Sequence, residues 1–138
     1  MGESEALWRL YCPPPMTGVA VQTTARLLME AIEHDPQVKL GHVQYVDFRY
    51  RFAGIHDRIY WKRKSLSHEA EVRAVMVRRD RQDNFGLAMP VDLKKLLVSV
   101  VPSPFAPSWF TDLVKATLRR FQLNSPVTES EMLSDPFY

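Results

Sequence analysis

The sequence predicts an α+β fold: a mixed or antiparallel sheet of about five or six strands, with about three helices packed mainly on one side. Three observations lead there. Apolar residues alternate at a period of two in several short stretches, and they recur at helical spacing in three others. The order of the two kinds is helix, strand, helix, then mostly strands before a last helix. That is not the strict alternation of a parallel α/β sheet. With 138 residues, 46 % hydrophobic and 25 % charged, the chain is long enough to bury a core, and a single α+β domain over residues 1–138 is expected.

The elements follow in order. Glu3 to Tyr11 reads as a helix with Ala6, Leu7, Leu10 and Tyr11 as its apolar stripe, ended by Pro13-Pro14-Pro15, because proline neither donates to nor fits inside a helix. Gly18 to Gln22 alternates and predicts a strand. Thr23 or Thr24 can cap a second helix to about Glu33, burying Leu27, Leu28, Ala31 and Ile32. Leu40 to Phe48 predicts the next strand, and the aromatic-rich stretch Arg49 to Tyr60 a loop with a turn of helix. Glu71 to Arg78 predicts a strand, Arg79 to Asn84 a polar turn, and Phe85 to Met89 the return arm of a hairpin. Asp92 can cap a short helix through Leu96, and the β-branched run Leu97 to Val101 is a buried strand. After a proline-rich loop, Ser108 can cap the best helix in the chain, Trp109 to Leu123, with the stripe Phe110, Leu113, Val114, Thr117, Leu118 and Phe121. Val127 to Glu129 can add an edge strand.

Composition narrows the function classes. The formal net charge is +2, too small for whole-molecule attraction to nucleic acid or membrane, so any basic character is local. A single cysteine, Cys12, forbids an intrachain disulfide and a thiolate zinc site, and fits a reducing cytoplasm. No apolar run approaches the roughly 18 residues of a membrane span. His34, His42, His56 and His68 show no metal-ligand spacing, so no metal is expected. No glycine-rich phosphate loop or other cofactor motif occurs, and no cofactor is expected.

Chemistry gathers in one stretch, Tyr60 to Arg79. It joins Trp61 and the basic run Lys62-Arg63-Lys64 to Glu69, Glu71 and Arg73, then to apolar strand formers. On a strand, Val72, Ala74 and Met76 share one face and Glu71, Arg73, Val75 and Val77 the other. The second face turns from charged to apolar, as expected of a strand running from the rim of a cleft into a core. Two carboxylates on one strand face lie ~7 Å apart, within the range of acid/base pairs. The competing reading of Glu69, Glu71 and Arg73 is an ion-pair lattice with Lys62 or Arg63 that fixes register. The basic run, with Arg78, Arg79 and Arg81, could bind phosphate or nucleic acid beside the rings of Tyr60 and Trp61, or be a solvated turn. Trp8, Tyr11, Trp61 and Trp109 read as core or interface residues. The aromatic connection Phe48 to Trp61 reads as an apolar surface that a partner subunit could cover.

Several segments carry a family resemblance: Glu3-Ser4-x-Ala6-Leu7-Trp8-x-x-Tyr11, Gly18-Val19-Ala20-Val21-Gln22-Thr23-Thr24, Gly41-x-Val43-x-Tyr45-x-Asp47-Phe48, and Lys62-Arg63-x-Ser65-Leu66-x-x-Glu69-x-Glu71-Val72-Arg73-Ala74. Together with Val100-Val101-Pro102 and Pro126-Val127-x-x-Ser130, the pattern resembles a family of bacterial domains of unknown function, met as hypothetical proteins of mobile DNA such as phage regions and integron gene cassettes. The resemblance implies a short or N-terminally trimmed member and brings no established activity. The Glu-x-Glu before a sheet core is also similar to ADP-ribosyltransferases, in which such a glutamate acts on bound NAD.

Three readings stand in order. The first is a binding module, expected to be homo-oligomeric, whose Glu/Arg-lined cleft near Glu69, Glu71, Arg73, Lys62 and Arg63, with Trp61, takes a small polar or anionic ligand or a partner loop. The second is an enzyme on a nucleotide-like substrate with Glu69 and Glu71 as catalytic carboxylates. A nucleic-acid contact protein ranks last.

Overall fold

The computed structural model describes residues 3–32, 35–52, 54, 57–77 and 88–134. The fold is α+β. Two compact units are present, Met1–Ala31 with Pro90–Tyr138, and Ile32–Met89.

The first unit is built round strand β6, Ser99–Pro102, all four of whose residues are buried. It pairs antiparallel with β1, Val19–Gln22, in the register Val19 to Pro102 through Gln22 to Ser99. On its other edge Val100 bridges Val127 in parallel, so the expected edge strand at 127–129 is a single bridge. Helix α1, Glu5–Tyr11, is capped by Ser4, whose Oγ accepts from the Leu7 amide at 3.4 Å. Its core residue is Trp8, 8 % exposed, which joins Cys12 and Val101 with Ala20, Phe105 and Met132 packed round them. The predicted stripe is therefore displaced: Leu10 and Tyr11 are exposed. Glu3 explains why Trp8 can go inside. Its Oε1 accepts from the indole Nε1 and from Ser130 Oγ, each at 2.5 Å, and its Oε2 from the Glu131 amide at 2.6 Å, so the buried N–H is satisfied.

Helix α2, Ala25–Ile32, starts at Thr24, whose hydroxyl accepts from the Leu27 amide at 3.2 Å, and it turns Leu27, Leu28, Ala31 and Ile32 inward as its spacing predicts. Asp92 caps α4, Leu93–Leu96. Helix α5, Ser108–Arg120, starts one residue earlier than expected. Pro107 takes the cap position, and Ser108 makes no capping bond. A proline-fixed φ serves the helix entry, so the serine is not needed there. The helix buries a narrower stripe than predicted. Val114 is buried and Phe110 and Leu118 half-buried, whereas Leu113, Thr117 and Phe121 are exposed, as is Trp109.

Among the described residues the second unit holds four strands. The single strand expected over Leu40 to Phe48 is divided at Val43 into β2, Val38–His42, and β3, Gln44–Val46. Strand β2 pairs antiparallel with β5, Val72–Met76; β3 pairs parallel with β4, Trp61–Arg63. Val43 is buried and its amide donates to the Glu71 carbonyl at 2.9 Å. That bond lies outside either ladder and marks where the chain changes partner. The expected sheet of five or six strands is thus not formed as one hydrogen-bonded unit among the described residues. The strands pair two by two. Helix α3, Asp57–Tyr60, leads into β4. Glycine is required at Gly41, where a Cβ would lie 2.6 Å from Cε1 of Tyr60. Tyr60 lies over that position and donates its hydroxyl to the Lys39 carbonyl at 3.0 Å.

The faces of β5 are not sorted as expected. On the wholly apolar face Val72 and Ala74 are exposed and Met76 is half-buried; on the mixed face Arg73 and Val75 are half-buried, while Val77 at its apolar end is exposed. Arg73 goes inward because it meets a carboxylate and a carbonyl there, described below. The hairpin arm at 79–87 and the basic residues Arg78, Arg79 and Arg81 lie outside the described residues.

Candidate functional site

Glu69 and Glu71 do not share a strand face. Glu69 closes a 3₁₀ helix, Lys64–Glu69, and Ala70 follows with φ 43° and ψ 47°. This left-handed residue turns the chain, so that both carboxylates reach the ammonium group of Lys62. Glu69 pairs with it directly, and Glu71 Oε2 lies 2.9 Å away. Arg73 completes the cluster. Its Nε donates to Glu71 Oε1 at 2.5 Å, one guanidinium nitrogen to Oε2 at 3.2 Å and the other to the Ile59 carbonyl at 2.5 Å. The backbone of Glu71 is fixed as well, its amide donating to the Tyr45 hydroxyl at 2.8 Å.

These contacts decide what Glu71 can do. The Arg73 guanidinium, and then Lys62, lower its carboxyl from the ordinary 4.5 to about 2. The hydrogen bonds that Lys62 donates to Glu69 and Glu71 raise its ammonium well above the usual lysine range, and Glu71 raises Arg73. A carboxylate held so low carries no proton at neutral pH and is a weak base. Both its oxygens are occupied. The geometry is that of the lattice reading, and the cluster ties β4, β5 and the 3₁₀ helix together. Glu69, with its side chain 7 % exposed, is as much a part of the lattice as Glu71.

The neighbouring cleft is different in kind. Strands β3 and β4 run parallel with Val46 opposite Arg63, so their carboxyl ends leave the sheet side by side. Side chains alternate along β4. Lys62, opposite Tyr45, joins the lattice; Arg63, opposite Val46, lines a cleft of about 810 Å³ with Val46, Asp47, Phe48, Arg49, Lys64 and Ser65. Asp47 shapes the rim. Its carboxylate accepts from the Arg49 amide at 3.0 Å and from the Arg49 side chain at 2.6 to 3.2 Å, while the Tyr50 amide closes the turn on its carbonyl at 3.1 Å. The Arg49 side chain, its amide and the charge of Lys64 hold Asp47 below the usual carboxylate range. The cleft thus carries three cationic groups and one carboxylate, which already has its own arginine.

Of the residues singled out by sequence, the structure brings Lys62, Glu69, Glu71 and Arg73 together, but as mutual partners. Arg63 stands apart, in the cleft. Trp61 is half-buried and lies under the Arg51 guanidinium, 5.9 Å from the ring centre. Sequence reasoning missed Asp47, Arg49 and Ser65. The Asp-x-Arg turn was a readable local signal, whereas the parallel pairing that sets it beside Lys64 was not. Among the described residues, no group of three or more His, Cys, Asp or Glu side chains is placed to hold a metal ion, and no helix is long and apolar enough to cross a membrane. Comparison with protein-family models, with curated proteins and with solved structures gave no match for this chain, so the functional reading stands on the geometry of the site.

Proposed function

We propose that the protein is a small binding module that takes an anionic, phosphate-bearing ligand in the cleft between residues 46–49 and 63–65. One observation supports this above others. Arg63 and Lys64 line the cleft with exposed side chains, Lys64 near enough for its charge to act on Asp47, while the lysine and arginine beside them, Lys62 and Arg73, are held by glutamates. Guanidinium and ammonium groups left open to solvent on a concave surface are suited to phosphate oxygens. Glu69 and Glu71 act in this reading as the frame that fixes β4 in position, without a catalytic role.

A homo-oligomeric state and a cytoplasmic, reducing setting belong to the same reading. The first is supported by the exposed apolar residues Trp109, Leu113 and Phe121 along α5, and light scattering tests it. A single monomer mass would remove it. The ligand class is tested by calorimetric titration with tripolyphosphate. Binding that weakens with salt, and by at least about tenfold in the Arg63→Ala, Lys64→Ala double variant, supports the assignment. Equal binding by wild type and variant contradicts it.

A further inference from the structure

We infer that the segment Phe48-Arg49-Tyr50-Arg51-Phe52 is a stacking platform for single-stranded nucleic acid, whose phosphates enter the Arg63–Lys64 cleft. This rests on the anion-binding reading above and names its ligand class.

The segment alternates aromatic and arginine without interruption. It begins inside the cleft, where Phe48 and Arg49 are lining residues, and continues outward. Tyr50 is 79 % exposed and Phe52 is fully exposed. Rings so placed serve no core. The arginines hold the aromatic surface in place. Arg49 lies over the Tyr50 ring at 5.4 Å while bonded to Asp47, and Arg51 lies over Trp61 at 5.9 Å. Trp61 begins β4, and Arg63 ends it, so platform and cleft are joined through one strand.

Charge and shape select the occupant. The apolar core of a protein–protein interface is depleted of charge, whereas here a guanidinium follows each of the first two rings. An acidic peptide would satisfy the cations but offers no flat groups for Phe48, Tyr50 and Phe52. A single-stranded nucleic acid supplies both a repeating phosphate and an unpaired base face, and base–aromatic stacking is tolerant of sequence. A duplex hides those faces. The sequence alone points for nucleic acid to Lys62 to Lys64 with Arg78 to Arg81; Lys62 is occupied by glutamates, and the proposed platform keeps Arg63 and Lys64 and adds the rings of residues 48–52.

The test is fluorescence anisotropy of a labelled oligothymidylate of about fifteen nucleotides against the full chain, with tripolyphosphate titrated in parallel. The expected result is binding whose logarithm falls with the logarithm of salt at a slope of about −2. The Tyr50→Ala, Phe52→Ala double variant, altered only at exposed positions, should weaken oligonucleotide binding at least about fivefold per ring and leave tripolyphosphate binding unchanged. Arg63→Ala, Lys64→Ala should weaken both. If tripolyphosphate binds but the aromatic variant holds the oligonucleotide as tightly as wild type, or if polyglutamate or a duplex of the same length binds as well, the platform is refuted and the anion cleft stands. If neither tripolyphosphate nor oligonucleotide binds, both are refuted.

Discussion

Arg73 lies across the carboxylate of Glu71, its Nε 2.5 Å from one oxygen and a second nitrogen 3.2 Å from the other. A fork of this kind is set by geometry as much as by charge. It makes Glu71 the centre of a lattice that includes Lys62 and Glu69. Replacing it leaves two half-buried cations short of a partner. Glu71→Gln is expected to lower stability by about 1–2 kcal/mol, read as a shift in urea midpoint with unchanged slope. A loss below about 0.5 kcal/mol would class the cluster with ordinary solvated pairs.

Acid should undo the same lattice. Glu71 titrates at about 2 in the folded chain against an ordinary 4.5. Its folded value is depressed, so the unfolded chain takes up the proton first as pH falls. The stabilisation is fully present above the ordinary value and is lost between there and about 2. Denaturation of wild type and Glu71→Gln across this window should show two curves that are apart at mildly acidic pH and converge near the lower limit. A gap that stays constant with pH would show that Glu71 acts through packing alone.

Ala70 sits in the left-handed region, at φ 43°, between the two glutamates. An L-residue with a Cβ is strained there by roughly 1–2 kcal/mol, and glycine is not. Against the extra unfolded-state freedom of glycine, Ala70→Gly is expected to stabilise by about 0.5–1 kcal/mol, measured by thermal unfolding. A lowered melting temperature would contradict the turn geometry that brings Glu69 and Glu71 to one lysine.

Tryptophans 8 and 109 should separate sharply. Trp8 is 8 % exposed and part of the core; Trp109 is 58 % exposed. Trp8→Ala is expected to cost about 3–5 kcal/mol, and Trp109→Ala under about 0.5 kcal/mol in dilute solution. At concentrations where the proposed oligomer forms, wild type is expected to show a concentration-dependent melting temperature that Trp109→Ala weakens; similar losses at both positions in dilute solution would contradict the exposure of Trp109 in the single chain.

Local signals carried the elements well. Thr24 and Asp92 cap the helices their positions announce, and the β-branched run before Pro102 is the most buried strand. What failed depended on partners distant in the chain. Nothing near Leu10 or Tyr11 says that Glu3 receives the indole of Trp8 and draws that residue inward instead. Nothing in Leu40 to Phe48 says that its two halves pair with different strands, since register is decided by neighbours. The site was legible in part. Lys62, Glu69, Glu71 and Arg73 do meet, but whether a charge group is a cleft or a lattice depends on the backbone turn at Ala70, an alanine where glycine is the usual marker. The cleft formed by Asp47, Arg49 and Lys64 needs a parallel pairing across residues 47–60, which no local pattern encodes.

In the proposed reading two neighbours on one strand divide the roles, Lys62 holding the fold and Arg63 serving a ligand. Tripolyphosphate affinity and urea stability, compared side by side on Lys62→Met and Arg63→Met, separate them. Lys62→Met should lose stability and, while folded, keep its affinity, whereas Arg63→Met should keep its stability and lose affinity several-fold. The opposite pattern, with affinity lost at Lys62 and stability lost at Arg63, would contradict that reading.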